Sequence, residues 1–181
     1  MTCAFDLAHY RELVEAAVAL AELEAELEAP ATYFVMTESV FYNLASRAGE
    51  RALDRLRELG HRVGLHAVYP RAKLDERFDR VLAWHNPQPE FMSVSVDGVA
   101  NAMERRFFVP GRYRSDSNQR WREGCPHEAL ARGELEWLQL LTHPEIWVYP
   151  GATMRETMLA MLDAERKRRL EQLAADRIDL S

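Results

Sequence analysis

Cysteine is scarce in this chain, and positive charge is outnumbered by negative. Cys3 and Cys125 are the only cysteines among 181 residues. Two thiols so far apart make neither a disulfide framework nor a cysteine-only zinc site. That usage is expected of a reduced, cytoplasmic protein. Lys and Arg number 23 against 29 Asp and Glu, a net charge of -6. A nucleic-acid binder presents a basic face, so no nucleic-acid partner is expected. No run approaches the roughly 20 apolar residues of a membrane span. The N-terminus lacks a basic start followed by an apolar stretch, so no signal peptide is read there. No internal repeat, low-complexity tract or linker divides the chain. What is present is ordinary for a globular protein: 48% apolar and 29% charged residues. The length suits one domain, residues 1–181, that buries its core without cross-links.

Residues 7 to 28 carry Leu7, Tyr10, Leu13, Val14, Ala17, Leu20, Ala21 and Leu27 at helical spacing, and Pro30 stops the pattern. Residues 31 to 36 are a β-branched and aromatic run, a buried strand. Residues 49 to 59 predict a helix with Leu53, Leu56 and Leu59 on one side, closed by Gly60 as a left-handed cap. Further strands are expected at 63–66, 81–85, 92–96 and 137–143. A long charged helix is expected over 152–175. Strands alternating with helices predict a largely parallel α/β sheet. The stretch 97–135, with Gly98, Pro110, Gly111, Gly124, Pro126 and Gly133, reads as a long excursion over the site.

Three predicted strands end in histidine: His66, His85 and His143. Ligand sites of such sheets lie at the C-terminal strand ends. Each ring also has an ordinary reading, as a hydrogen-bonded strand-end or turn residue. His61 after the glycine cap is expected to meet solvent or a helix end, and His9 to be exposed. His127 caps a short helix, since Cys125-x-His127 is too short a pairing for zinc. Asp116, between two serines, is the best remaining acid, with a turn-stabilising role as the alternative. Arg114 and Arg122 suit a forked oxyanion, or surface ion pairs. Trp121 suits stacking on a sugar face, or the core.

Ala31-Thr32-Tyr33-Phe34-Val35, Leu59-Gly60-His61-Arg62-Val63-Gly64-Leu65-His66 and Leu138-Gln139-Leu140-Leu141-Thr142-His143-Pro144 stand in an order that resembles the polysaccharide deacetylase family (carbohydrate esterase family 4-like). Tyr113 to Ser117 and Trp121 to Pro126 resemble the branch of that family that accompanies surface-polysaccharide genes. The resemblance implies a distorted (β/α) barrel, here shortened, and a divalent metal, commonly zinc. It implies removal of acetyl from an N- or O-acetylated sugar or polysaccharide precursor. In that chemistry a metal polarises the acyl carbonyl and lowers the pKa of a bound water to about 7. A carboxylate takes the water's proton and a histidine protonates the leaving group. By this match His66 is a metal ligand and His143 the catalytic acid. His85 is a further ligand or a substrate donor, and Asp116 the catalytic carboxylate. Trp84, Arg114, Trp121 and Arg122 are the candidate substrate-binding residues.

The family's first-strand Asp-x-Asp motif has no counterpart between residues 1 and 31. Residues before and after positions 16–20 read as two halves fused across a lost strand. Asp6 is a substitute for one aspartate, or the N-cap of the first helix. Pro70 occupies the place of the family's second metal histidine, and Asn86 that of the arginine which orients the base. Three outcomes remain open: a hydrolase, a non-catalytic carbohydrate-binding or regulatory relative, and a degenerate copy whose open sheet edges favour homo-oligomers.

Overall fold

The computed structural model describes residues 11–37, 39, 41–68, 74–86 and 88–179. It is a mixed α/β structure in which every paired strand runs parallel to its neighbours. Helix α1 spans Arg11–Glu26 and buries Ala16, Leu20 and Ala21. Residues 16–20 therefore lie inside a continuous helix. Strand β1, Thr32–Val35, follows.

Helix α2, Arg47–Glu58, begins where the Ser46 hydroxyl accepts the Gly49 amide, satisfying a free N–H of the first turn. Leu53 and Leu56 face the core. At the other end Gly60 takes φ +87°, with its amide bonded to Arg57 O and that of His61 to Leu56 O. This is the paired bonding that closes a helix on glycine. Strand β2, Arg62–Ala67, leaves the cap at once and pairs with β1 from Thr32↔Arg62 to Val35↔Leu65.

Strand β3, Val81–Trp84, pairs with β2, and β4, Ala100–Asn101, pairs with β3. The four strands lie in the order β1-β2-β3-β4, so each connection steps the same way across the sheet. A second, two-stranded sheet joins β5, Tyr113–Ser115, to β6, Gln139–Leu141. Three helices complete the described chain: α3, Pro126–Ala131; α4, Pro144–Val148; and α5, Met154–Ala175. Helix α5 starts in a capping box in which Thr153 and Glu156 satisfy each other's backbone amides.

The core gathers between α1, α2 and the four-stranded sheet, with Tyr33, Leu53, Leu56, Val63, Leu82 and Trp84 in one cluster. Its close fit shows at Gly49, where an added Cβ would stand 2.5 Å from the Asn43 carbonyl oxygen. Helix α5 is tied back to α1 by ion pairs. Arg168 donates to Glu12 at 2.7 Å and to Glu165 at 2.9 Å, and Arg169 also donates to Glu165. Glu12 and Glu165 are both buried.

Three expectations change. Residues 92–96 do not form a strand. Phe91–Ser93 is a 3-10 turn and the sheet's fourth strand lies later, at 100–101. The stretch 97–135 is more than an excursion, because it contributes β4, β5 and α3. His61 does not meet solvent. It is 4% exposed, its Nδ1 accepts the Ala31 amide at 3.0 Å, and its Nε2 donates to Ala21 O at 2.9 Å. A ring between two backbone groups satisfies both where water does not reach. Among the described residues no helix is long and apolar enough to cross a membrane.

Candidate functional site

Parallel strands send their C-terminal ends in one direction, so residues at those ends are brought together by topology rather than by sequence distance. His66 stands near the end of β2, His85 directly follows β3, and His143 follows β6 as the N-cap of α4. The structure brings these three imidazoles into one neighbourhood. His66 Nε2 lies 2.9 Å from His85 Nδ1, and the rings meet edge to face at 5.0 Å between centroids. Burial lowers the His66 pKa to about 4, with the nearby charges of His85 and His143 adding to the effect. His66 is therefore neutral at neutral pH, because desolvation and like charges both oppose the imidazolium.

Asn86 fixes the proton between the first two rings. Its Nδ2 lies 3.2 Å from His85 Nε2. An amide nitrogen there donates, which leaves the His85 proton on Nδ1, to be donated to His66 Nε2. Asn86 takes φ +47°, the left-handed region that asparagine tolerates better than most side chains.

His143 is set differently. Its Nδ1 is 2.6 Å from Asp116 Oδ1, and its backbone amide donates to Asp116 Oδ2 at 3.0 Å. The Trp147 indole N–H donates to the same Oδ2 at 2.9 Å. Asp116 directly follows β5 and is 2% exposed. A buried carboxylate with three N–H donors is satisfied on both oxygens. The hydrogen bond that His143 donates to Asp116 raises its pKa above 6.5, more than burial lowers it, and the charges of Asp116 and Glu145 add to the rise. With Nδ1 engaged, His143 presents Nε2 for proton transfer. A carboxylate held on one ring nitrogen in this way fixes the tautomer and orientation of the imidazole.

The remaining candidates fall apart from this cluster or change role. Asp116 is turned to His143 and Trp147, so it is a positioning carboxylate for His143 and no ligand for the His66–His85 pair. Trp84 is no sugar platform. It is 2% exposed and packs on Phe91 within the core, which leaves no ring face for a ligand. The Arg114 guanidinium is held by Glu123 Oε2 at 3.0 Å and by the Tyr113 carbonyl at 3.1 Å. Arg122 is exposed, and its charge reaches the Tyr113 hydroxyl, whose pKa is raised chiefly by burial. Trp121 is partly exposed. His127 bonds to Cys125 Sγ at 3.4 Å. Asp6, His9 and Pro70 lie outside the described residues.

A catalytic zinc takes three protein ligands. Among the described residues no group of three His, Cys, Asp or Glu side chains is placed to hold a metal ion. His66 and His85 offer two nitrogens, aimed at each other. The described residues alone therefore do not make the zinc site that the resemblance implies.

Trp147 is the site residue that the sequence reading passed over. The signal was present in His143-Pro144-Glu145-Ile146-Trp147: proline at the first helical position starts a turn, and the residue four places on returns to the same side.

Comparison with family models, with curated proteins and with solved structures finds no match for this chain.

Proposed function

We propose that this chain is a deacetylase-like hydrolase acting on an N- or O-acetylated carbohydrate, with His143 as the proton donor and Asp116 as the residue that holds it. One observation carries the reading: the 2.6 Å pairing of His143 Nδ1 with a buried carboxylate at the mouth where His66 and His85 also stand. The carbohydrate and the acetyl group come from the resemblance of residues 31–144 to the deacetylase family. The consecutive parallel order of β1 to β4 is compatible with a shortened barrel of that kind.

The chemistry needed is the hydrolysis of an acyl–oxygen or acyl–nitrogen bond. Water adds to the acyl carbon and gives up a proton to solvent, the bond to the sugar oxygen or nitrogen breaks, and the departing atom takes a proton from a general acid that solvent then reprotonates. His143, whose pKa is held above that of a free imidazole by Asp116, supplies that proton from Nε2. Asp116 raises the pKa in the required direction and fixes the ring by Nδ1. His66, held neutral by burial, presents a polar wall beside it together with His85.

Turnover of acetylated oligosaccharide, measured as released acetate, tests the reading. The wild-type chain is expected to release acetate, and His143→Ala to lower the rate by at least about a hundredfold. Equal rates would reject His143 as the donor. Near-stoichiometric zinc in the purified protein, lost in His66→Ala, would place further ligands outside the described residues.

A second reading has its own observation. With only two described nitrogens facing one another, the chain suits a carbohydrate-binding relative that has lost the reaction. Sugar affinity without acetate release would identify it.

A further inference from the structure

We propose that the exposed face of Trp147 is the platform on which the sugar ring stacks, locked in place by its indole N–H on Asp116. The inference rests on the carbohydrate reading above and names the residue that reads the sugar. Trp147 is 53% exposed and Trp137 41%, whereas Trp84 is 2% exposed; of these, Trp147 is the one tied to Asp116. Its exposure is not freedom: the N–H is held at 2.9 Å by Asp116 Oδ2. The other oxygen of that carboxylate holds His143 Nδ1 at 2.6 Å. The indole and the imidazole are therefore two rings pinned to the two oxygens of one buried carboxylate. Anything lying on the indole lies beside the proton donor. An aromatic body with its polar edge satisfied presents an apolar face of the kind that covers the C–H face of a pyranose. Two rotatable bonds, already fixed by the hydrogen bond and by helix α4, leave little to order when ligand binds.

The test uses the full chain, N-acetylglucosamine tetramer as probe, and two substitutions. Trp147→Phe keeps an aromatic face and removes the N–H. Trp147→Ala removes both. Binding is measured by calorimetry, acetate release by assay, and folding by thermal melting. Trp147→Ala is expected to weaken binding at least about tenfold, and Trp147→Phe by less than about threefold. In both variants the melting transition is retained, since most of the ring lies outside the core. Equal binding by wild type and Trp147→Ala overturns the platform, and so does a loss in Trp147→Phe as large as that in Trp147→Ala. Acetate release by wild type alongside unchanged binding in Trp147→Ala leaves the hydrolase standing while the platform falls. Binding that is lost in Trp147→Ala, with no acetate released by wild type, keeps the platform and removes the hydrolase. A wild type that neither binds nor cleaves the tetramer overturns the platform.

Discussion

Asp116 grips His143 twice, at the ring Nδ1 and at the backbone amide, while among the described residues the partner of His66 is another imidazole, His85. His143 and His66 consequently titrate in opposite directions. His143 has its pKa raised, so its contribution to stability is complete below 6.5 and is lost as pH rises through the folded value. Asp116→Asn should lower the His143 pKa, read by NMR titration of the ring protons. The alkaline limb of any rate profile should move down with it. His66 has its pKa lowered to about 4 from 6.5, so its contribution is complete above 6.5 and lost as pH falls towards 4. The size is on the order of 3 kcal/mol. Denaturant titrations at pH 7 and pH 4.5 should show that loss in wild type and a smaller one in His66→Phe. Asn86→Ala should leave the fold intact and free the His85 proton to exchange between its nitrogens, visible in the 15N shifts of the ring.

Among the elements, the long helices α1, α2 and α5 and the strands β1, β2, β3 and β6 were legible, while α4, β4 and β5 were not and the strand expected at 92–96 is a 3-10 turn. Leu53 and Leu56 at helical spacing, closed by Gly60, predicted α2 to within two residues. Strand β5 escaped because Tyr113-Arg114-Ser115 has neither an apolar run nor a clean alternation; its place is set by pairing with β6. The histidines were visible as strand-end residues, yet their pairing was not. Nothing in the sequence reveals a carboxylate that holds His143, and Asp116 was read as a catalytic acid or a turn residue. Trp84 was misjudged because aromatic type says nothing about which face of a strand a ring occupies. Gly49 shows a constraint of the same kind. Its hydrogen lets the first turn of α2 approach the backbone of residues 43 and 44. Gly49→Ala should cost about 2 kcal/mol in chemical denaturation despite its gain in helix propensity, because the obstacle is backbone that cannot rotate away.

At the scale of the whole molecule, chain ends and chemistry depend on contacts between distant segments. Arg168 on α5 is the described partner of buried Glu12 on α1. Arg168→Met should destabilise the protein by about 3 kcal/mol in chemical denaturation, since it strands a buried charge. Glu165, which keeps Arg169, is spared. The Asp116–His143 pair and the histidine pair belong to different sheets: Asp116 and His143 follow β5 and β6, while His66 stands in β2 and His85 follows β3. The side-chain amide of Gln139, in β6, crosses between them to Ala102 O at 2.9 Å. The site is thus built like a joint between two plates, each carrying a finished half, with Gln139 as a pin. Removing that pin in Gln139→Ala would leave both halves whole and change only how strongly one feels the other. The His66 titration would drift upward as His143 recedes.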